Sequence, residues 1–367
     1  MNGSRLLFAA NLLSLFALAA CRRPSEPAVI GFALPKSADA VAAVAADTLA
    51  TDRTDPPIRV IVDWGSGGSE SQAEAARAQR LVSVPGLVGV VGHAGSRGSL
   101  VAAPVYVAAG VPLIVPTATS RRVRDLGPWV FMLAPNDSLE GAFIGAFGAE
   151  HLGARRFAIF YVNDEYGAGI RDGLKEWTRG SVASLVDEVP YVDGSELGTL
   201  LSASLARGKP DLLVVAGRPN EAALLARLVS GHEHPIPVIG ADGTFDQLRL
   251  FRDLAGPIAD SVCFVSFWLP DSADAAGRAY LSRHRKLNHA EASVAEAMHY
   301  DAVMLLARAV REVGSDRRRI RDWLTSLGAS RPGYRGVTGD ISFASHRPHR
   351  LRMVRLRGDS IVAADQP

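Results

Sequence analysis

Short runs of aliphatic and β-branched residues alternate along this chain with Ala-rich segments that have helical spacing. The first three runs lie at 29–34, 58–64 and 87–91, and helix-like segments at 38–49 and 70–82 separate them. Parallel strands need crossover connections of about a dozen residues or more, which are usually helices. The alternation therefore predicts an α/β fold in which parallel sheets are covered by helices on both faces.

The same alternation stops near residues 134–136 and then starts again. Before the break, the first run also includes a helix-like segment at 101–109 and a strand-like run at 112–115. After the break, strand-like runs occupy 157–162, 212–216, 237–240 and 262–267. The helix-like segments of this second part lie at 138–151, 168–178, 221–230 and 245–254. At 367 residues the chain is long enough for two domains, so two runs of alternation predict two similar lobes.

The final third of the chain is dominated by helix-like segments. Three long ones lie at 273–287, 293–313 and 317–327, and short strand-like segments follow at 340–343 and 351–356. A tail of this kind can return to both lobes. We predict that the lobes consist of residues 28–135 plus 268–337 and of residues 136–267 plus 338–367.

The first 20 residues have the character of a secretory signal, because Arg5 precedes an apolar run at 6–20. The run ends Leu18-Ala19-Ala20-Cys21, which resembles the lipobox of bacterial lipoproteins. In that motif the Cys thiol receives a diacylglycerol and the signal is cut just before it. We expect a lipidated Cys21 followed by a short tether, residues 21–27 in all. The alternative is a plain signal peptide, or an anchor helix, with an incidental Cys.

The charge balance argues against a nucleic-acid partner. The chain has 40 Lys and Arg against 38 Asp and Glu, a formal net charge of +2, and its basic residues are scattered.

The chain has two Cys residues, and only Cys263 is left as a thiol when Cys21 is acylated. Cys263 lies in an apolar run, so we expect a buried free thiol and no internal disulfide.

Motifs for cofactor, metal or catalytic chemistry fail when their spacing is checked. Gly65-Ser66-Gly67-Gly68 lacks the Lys-Ser/Thr ending of a phosphate-binding loop. His93 and Ser96 do not form a Gly-x-Ser-x-Gly motif, and His232-Glu233-His234 has no further ligand at a recognised metal-binding spacing. We therefore predict no cofactor and no metal. A hydrolase that uses Ser96 stays open as an alternative.

Polar residues follow the predicted strands at the point where each strand ends. Ser96 comes after the run at 87–91, and Thr117-Ala118-Thr119 comes after the run at 112–115. In the second lobe the corresponding residues are Tyr166, Arg218 and Asp242. Ligands of open parallel sheets bind beyond the carboxyl ends of the strands. We therefore expect these side chains to face one binding cleft.

The chemistry of this set favours a zwitterion. Hydroxyls and backbone N–H groups at a helix start, such as those near Ser96 and Thr119, bind a carboxylate well. Asp242 supplies the negative charge that an ammonium group needs, and Tyr166 offers a flat apolar surface. The alternatives are helix capping by Ser96 and Thr119 and an Asp-Gly turn at Asp242.

Several motifs in the same order resemble the leucine/isoleucine/valine-binding proteins of ABC importers. The resemblance covers residues 28–362, although each motif alone is weak. The matching segments are Gly89-Val90-Val91-Gly92-His93 through Ser96, Pro116-Thr117-Ala118-Thr119, Asp164-Glu165-Tyr166-Gly167-Ala168-Gly169, Gly240-Ala241-Asp242-Gly243, Tyr300-Asp301-Ala302-Val303 and Gly336-Val337-Thr338-Gly339-Asp340-Ile341-Ser342-Phe343.

This resemblance implies two Rossmann-like lobes of the type I periplasmic binding protein kind, joined by three crossings around a ligand cleft that closes by a hinge motion. Ser96 and the Thr119 amide would bind the ligand carboxylate. The Thr117 carbonyl, the Thr119 hydroxyl and Asp242 would bind the α-ammonium, and Tyr166 would close over the ligand. The partners implied are an amino acid or analogue and an inner-membrane ABC permease. We expect an exported, lipid-anchored monomer.

Two departures from the family pattern leave the ligand open. Asp242 stands where the family has Glu, and Arg218 stands where the family often has an aromatic residue. If Arg218 faces the cleft, an acidic or amide-bearing ligand is favoured over a branched aliphatic one. A regulatory or sensory lipoprotein of the same fold, which binds a protein partner such as a cell-wall synthase, is the alternative function.

Overall fold

The chain folds around two separate β-sheets, of which the first is parallel and the second mainly parallel. The computed structural model describes residues 26–34, 39–51, 56–63, 70–232, 234–245, 248–270, 273–344, 351–358 and 360–364. The predicted signal segment at 1–20 and the predicted lipidation site at Cys21 lie outside these residues. No helix in the described ranges is long and apolar enough to cross a membrane.

The first sheet has five parallel strands in the order β2-β1-β3-β4-β5. These strands are β1 (Ala28–Ala33), β2 (Ile58–Asp63), β3 (Leu87–Gly92), β4 (Leu113–Val115) and β5 (Val130–Met132). The helices that follow the first four strands are α1 (Asp39–Ala50), α2 (Glu70–Val82), α3 (Gly95–Ala109) and α4 (Arg121–Arg124).

Both faces of this first sheet are buried, as the near-continuous apolar strands predict. Ile30 and Phe32 of β1 belong to one core cluster, whereas Val29 and Ala33 belong to a second cluster on the other face. Alternate residues of a strand point to opposite faces, so a strand must be apolar throughout to be covered on both.

The second sheet is formed mainly by the middle of the chain. Its parallel strands are β6 (Arg156–Val162), β7 (Ser184–Tyr191), β8 (Leu212–Ala216), β9 (Val238–Gly240) and β10 (Val262–Ser266). Its helices are α5 (Asp137–His151), α6 (Glu165–Arg179), α7 (Leu197–Gly208), α8 (Pro219–Ser230), α9 (Asp242–Phe245) and α10 (Leu248–Ala255). Short 3-10 turns lie at Gly194–Glu196 and Gly256–Ser261.

After β10 the chain returns to the first sheet and then leaves it again. The returning helices are α11 (Ala275–Asn288), α12 (Val294–Val313) and α13 (Arg317–Ser326), followed by the small hairpin of β11 (Tyr334–Arg335) and β12 (Asp340–Ile341). α11 and α12 pack against α1. The last strands, β13 (Arg352–Arg357) and β14 (Ser360–Ala363), join the second sheet antiparallel, giving the order β14-β13-β10-β9-β8-β6-β7.

The predicted α/β fold with two lobes is therefore confirmed. The first lobe is built on the five-stranded sheet and the second on the seven-stranded sheet. The chain passes between them after β5, after β10 and after β12. The residue limits given above for each lobe stay a prediction.

Several elements, among them β5, β7 and α7, are absent from the set predicted from the sequence. Some helices begin earlier than predicted, α3 by the largest margin. α3 begins at Gly95, not at residue 101, because its first turn is rich in Gly and Ser and has no helical apolar pattern. This earlier start places Ser96 inside the helix.

Candidate functional site

Ser96 lies in the first turn of α3, where backbone N–H groups have no partner within the helix. Its side chain is 7% exposed, and its Oγ accepts a hydrogen bond from the backbone N–H of Ser120 at 3.1 Å. The N-cap of α3 is Ala94, which makes no side-chain capping bond. Ser96 therefore fixes the loop after β4, and its hydroxyl hydrogen remains a donor for a ligand.

The loop after β4 carries three of the predicted ligand-binding residues. Thr119 and Ala118 are buried, and Thr117 is half-buried. The Thr119 carbonyl accepts a hydrogen bond from the backbone N–H of Asp137 at 3.0 Å. This bond joins the loop of the first lobe to the first turn of α5, at the first crossing between the lobes.

Tyr166 and Asp242 meet in the second lobe. Asp164 caps α6 by accepting hydrogen bonds from the backbone N–H groups of Tyr166 and Gly167, which sets the start of this helix. The Tyr166 hydroxyl donates to Asp242 Oδ1 at 2.8 Å and accepts from the Gly243 backbone N–H at 3.0 Å. A Cβ at Gly243 would lie 2.8 Å from the tyrosine oxygen, so only glycine allows this approach.

Two further acidic residues, Asp137 and Glu140, lie in the same place and were missed at the sequence level. Glu140 is 0% exposed, and its Oε1 accepts a hydrogen bond from the Asp242 backbone N–H at 2.8 Å. Its carboxyl group also interacts directly with the Asp242 carboxyl. Asp137 is buried as well and interacts with the Thr119 hydroxyl and with the charge of Asp242.

Burial shifts the titration of all these groups toward the neutral form. It raises the pKa of Glu140 well above its usual range, and the neighbouring charge of Asp242 raises it further. Burial also raises the pKa of Asp242, against the lowering effect of the Tyr166 hydrogen bond. The pKa of Asp137 is well above its usual range for the same reason, although Thr119 opposes the shift.

Among the described residues, these three carboxyl groups have no cationic partner. Across the described parts of the chain, no Lys or Arg side chain forms a hydrogen bond or ion pair with Asp137, Glu140 or Asp242. A buried carboxylate without a counter-charge is costly. The site is therefore suited to a ligand that carries a positive charge.

Arg218 makes none of the hydrogen bonds or ion pairs described for this cluster. It is exposed and lies at the N-cap of α8, where its backbone N–H donates to Glu221 at 3.1 Å. Its positive charge lowers the pKa of the Tyr191 hydroxyl, although burial of Tyr191 has the larger, opposite effect. The effect of Arg218 on ligand preference stays a prediction.

His93 belongs to a separate network behind α3. It is fully buried, its Nδ1 pairs with Glu74, and its Nε2 lies 2.9 Å from the Tyr106 hydroxyl. Both ring nitrogens are thus occupied by groups other than Ser96, so His93 is not placed as a base for that hydroxyl. The ranges that the structure describes contain no group of three His, Cys, Asp or Glu residues suited to a metal ion.

An exposed ion pair joins the two lobes beside the cluster. Arg122 of α4 contacts Glu165 in the first turn of α6, immediately before Tyr166. This contact brings α4 of the first lobe next to the start of α6 in the second lobe. That the donors of the first lobe and the acids of the second line one cleft stays a prediction.

Comparisons with known proteins identify the family to which this fold belongs. The family model described as periplasmic binding protein matches residues 30–360. A search of curated proteins found no match. The branched-chain amino acid transporter substrate-binding protein LivJ from Streptococcus pneumoniae, solved with isoleucine, is 25% identical with a TM-score of 0.78; the match covers 92% of this chain and 99% of that one.

Two other solved structures extend the fold similarity. The leucine-binding protein LivK from Thermotoga maritima has a TM-score of 0.79 at 20% identity, with 91% of this chain and 97% of that chain covered. An ABC transporter solute-binding protein from R. palustris, solved with benzoate, has a TM-score of 0.77 at 17% identity, with 92% and 95% covered. The predicted family resemblance is confirmed, and these relatives are binding proteins rather than enzymes. The chain belongs to the periplasmic binding protein family.

Proposed function

We propose that this protein is the solute-binding component of an ABC importer and that it binds an amino acid, or a small molecule with the same zwitterionic group, by closure of its two lobes. One observation carries the proposal. The Thr117–Thr119 loop, which carries hydroxyl and N–H donors, is hydrogen-bonded to the first turn of α5. Asp137 and Glu140 are buried in that turn and have no cationic partner among the described residues.

The proposed residue roles follow from the donors of the first lobe and the acids of the second. Ser96 and the Thr119 amide bind the ligand carboxylate, since they are donors near a helix N-terminus. Asp242 binds the ammonium with the Thr117 carbonyl and the Thr119 hydroxyl. Tyr166, held by its bond to Asp242, covers the ligand from the second lobe. The LivJ structure, solved with isoleucine, supports a ligand of the amino-acid class.

Export and anchoring complete the proposal. Residues 1–20 direct export, and lipidated Cys21 anchors the protein near its permease as a monomer. Mass spectrometry of the N-terminal peptide tests this point, because Cys21→Ser should abolish the diacylglycerol adduct and release the protein from the membrane fraction. A membrane-bound Cys21→Ser variant would contradict the anchor.

Thermal unfolding of the protein, refolded to remove carried-over ligand, tests the binding function. Amino acids, small amides, dicarboxylates and benzoate form the panel. A ligand at about 100 times its Kd should stabilise the protein by roughly 2.7 kcal/mol, a shift of several degrees in Tm. No shift with any compound would contradict the proposal and favour the regulatory lipoprotein.

Substitution of Asp242 tests the ammonium site. Asp242→Asn should weaken binding of an amino acid hit by about 30-fold or more, because it leaves a desolvated ammonium unpaired at a cost of about 2 kcal/mol or more. Asp316→Asn is the matched control, since Asp316 only caps the distant helix α13. Equal affinities for the Asp242→Asn protein and the wild type would remove Asp242 from the site.

A further inference from the structure

Glu140 and Asp242 form a buried carboxyl pair that the ligand roles above do not fully use. The Asp242 backbone N–H donates to Glu140 Oε1, and the Tyr166 hydroxyl donates to Asp242 Oδ1. Glu140 Oε2 is buried and has no hydrogen-bond partner among the described residues. A buried oxygen left in this state indicates a missing donor.

The surrounding elements do not supply that donor as a charged group. α5 contributes Asp137, whose Oδ1 is also buried and without a partner among the described residues. α6 contributes Asp164, Glu165 and Tyr166 from its first turn. The nearby cation of α4, Arg122, is paired with Glu165 at the exposed edge of the cleft. The starts of α5 and α6 thus present acids, and no cation, to the pair.

Two carboxyl groups in contact at a buried site do not both ionise. They titrate as a pair, in two steps that belong to neither residue alone, and one proton stays with the pair over the range between the steps. A shared proton would also let one carboxyl donate to the other. The raised pKa of both groups agrees with this geometry.

We propose that Glu140 is a second acidic residue of the ligand site, that the Glu140–Asp242 pair holds one proton when the cleft is empty, and that the cationic group of the ligand displaces this proton into solvent. The inference rests on the proposed function, since it needs an ammonium ligand at Asp242. The step balances: the protonated pair with one negative charge takes up one ammonium group, releases one proton, and ends as two carboxylates.

The proposal fixes the sign of the pH dependence. Below the pH at which the empty pair loses its proton, each bound ligand must release one, so Kd should rise by about tenfold for each pH unit of acidification. Above that pH the affinity should be flat. A carboxylate without an ammonium group leaves the proton in place and should show no such dependence.

Isothermal titration calorimetry with L-isoleucine, in buffers of different ionisation enthalpy, counts the protons released. The wild type should release about one proton per ligand at pH values below the one at which the empty pair loses its proton. Glu140→Gln should still bind but release almost none, with a Kd that is flat over the same pH values. Glu150→Gln, an exposed position on the same helix, should behave as the wild type. Binding without proton release by the wild type would overturn the proposal.

A ligand-free measurement separates this proposal from the proposed function. Carbon NMR of the empty protein, labelled at its Asp and Glu carboxyl carbons, should show two separated titration steps shared by Glu140 and Asp242. One ordinary acidic step for each residue would overturn the shared proton even if isoleucine binds. Two shared steps with no binding of isoleucine would support the pair and count against the amino-acid function instead.

Discussion

Buried carboxyl groups of this protein are held in two different ways. Asp301, in α12, accepts hydrogen bonds from the Val337 and Thr338 backbone N–H groups and from the Thr338 hydroxyl. Glu140 has one backbone donor and one oxygen without a partner among the described residues. A fully satisfied carboxyl serves to hold the fold together, whereas an incompletely satisfied one in a cleft is suited to bind a ligand.

The burial of Asp301 predicts how the stability of the protein depends on pH. Burial raises its pKa from 3.8 to about 6, against the lowering effect of its three donors. Because the folded-state value is the higher one, the ionised form is penalised, and stability is lost as the pH rises from about 4 to about 6. The free energy of unfolding of the wild type minus that of Asp301→Asn should be larger at pH 4 than at pH 7 by on the order of 3 kcal/mol.

Urea unfolding of both proteins at the two pH values measures this difference. Asp253→Asn, an exposed position on α10, serves as the control and should track the wild type at both pH values. A difference between wild type and Asp301→Asn that stays constant with pH, or that is larger at pH 7, would show that Asp301 does not titrate as its burial implies.

The site residues differ in how far the sequence predicts them. Ser96, Thr119, Tyr166 and Asp242 follow strand ends and match family motifs, so both kinds of reasoning select them. Glu140 lies in the first turn of α5, where an acidic residue is expected simply to complement the helix dipole. Its role depends on a contact with Asp242, 102 residues away, and no local pattern gives that distance.

At the scale of the elements, the helix pair α5–α6 sets the positions of the second-lobe acids. α5 carries Glu140 and α6 carries Tyr166, and the two helices pack together through glycines. A Cβ on Gly141 would lie 2.5 Å from the Leu174 backbone nitrogen, and a Cβ on Gly173 would lie 2.5 Å from the Ser138 carbonyl oxygen. The backbones approach closely enough that a methyl group does not fit at either glycine.

Gly141→Ala should therefore destabilise the protein although alanine favours helices. The added methyl group forces the two backbones apart, and overpacking of this kind costs about 1–3 kcal/mol. Gly198→Ala is the control, because the nearest atom to its Cβ lies 4.0 Å away and α7 has room for it. We expect Tm to fall by several degrees in the first variant and to stay unchanged or rise slightly in the second.

Isoleucine titration of Gly141→Ala adds a second test, since separating α5 from α6 also separates Glu140 from Tyr166. The affinity should fall along with Tm. An unchanged Tm would mean that the helices adjust without cost, contrary to the close approach of their backbones.

Elements with a strong apolar pattern are predicted well, whereas elements with a weak pattern, such as the edge strand β7, are not. β8 has the predicted limits, Leu212–Ala216, because it is buried throughout and central in its sheet. β7, at the sheet edge, contains Pro190 and mostly half-buried residues, so its pattern is weak. An edge strand tolerates proline because one side of its backbone has no strand partner, but the sequence alone does not reveal where the edge lies.

At the scale of the whole molecule, the two lobes meet around the cleft through polar contacts. The Thr119 carbonyl accepts a hydrogen bond from the Asp137 N–H, and Arg122 pairs with Glu165. The first contact adjoins the chain crossing at 133–136. The second joins α4 of the first lobe to α6 of the second, so we expect it to form only when the lobes are close together.

The Arg122–Glu165 pair should therefore tune closure without deciding it. The side chains are 67% and 42% exposed, so solvent screens their attraction, and pairs of this kind contribute about 1 kcal/mol or less. Arg122→Ala should weaken isoleucine binding by at most about fivefold at low salt. The difference from wild type should disappear at about 1 M salt, where the screening length falls to roughly 3 Å.

Asp242→Asn should keep its loss of affinity at high salt, because the charge that it removes is buried. Calorimetric titrations at the two salt concentrations distinguish the cases, with Arg179→Ala, an exposed cation at the far end of α6, as the control. A loss in Arg122→Ala that is large and independent of salt would mean that Arg122 contacts the ligand itself, and the cleft would then have to hold an anionic group near α4.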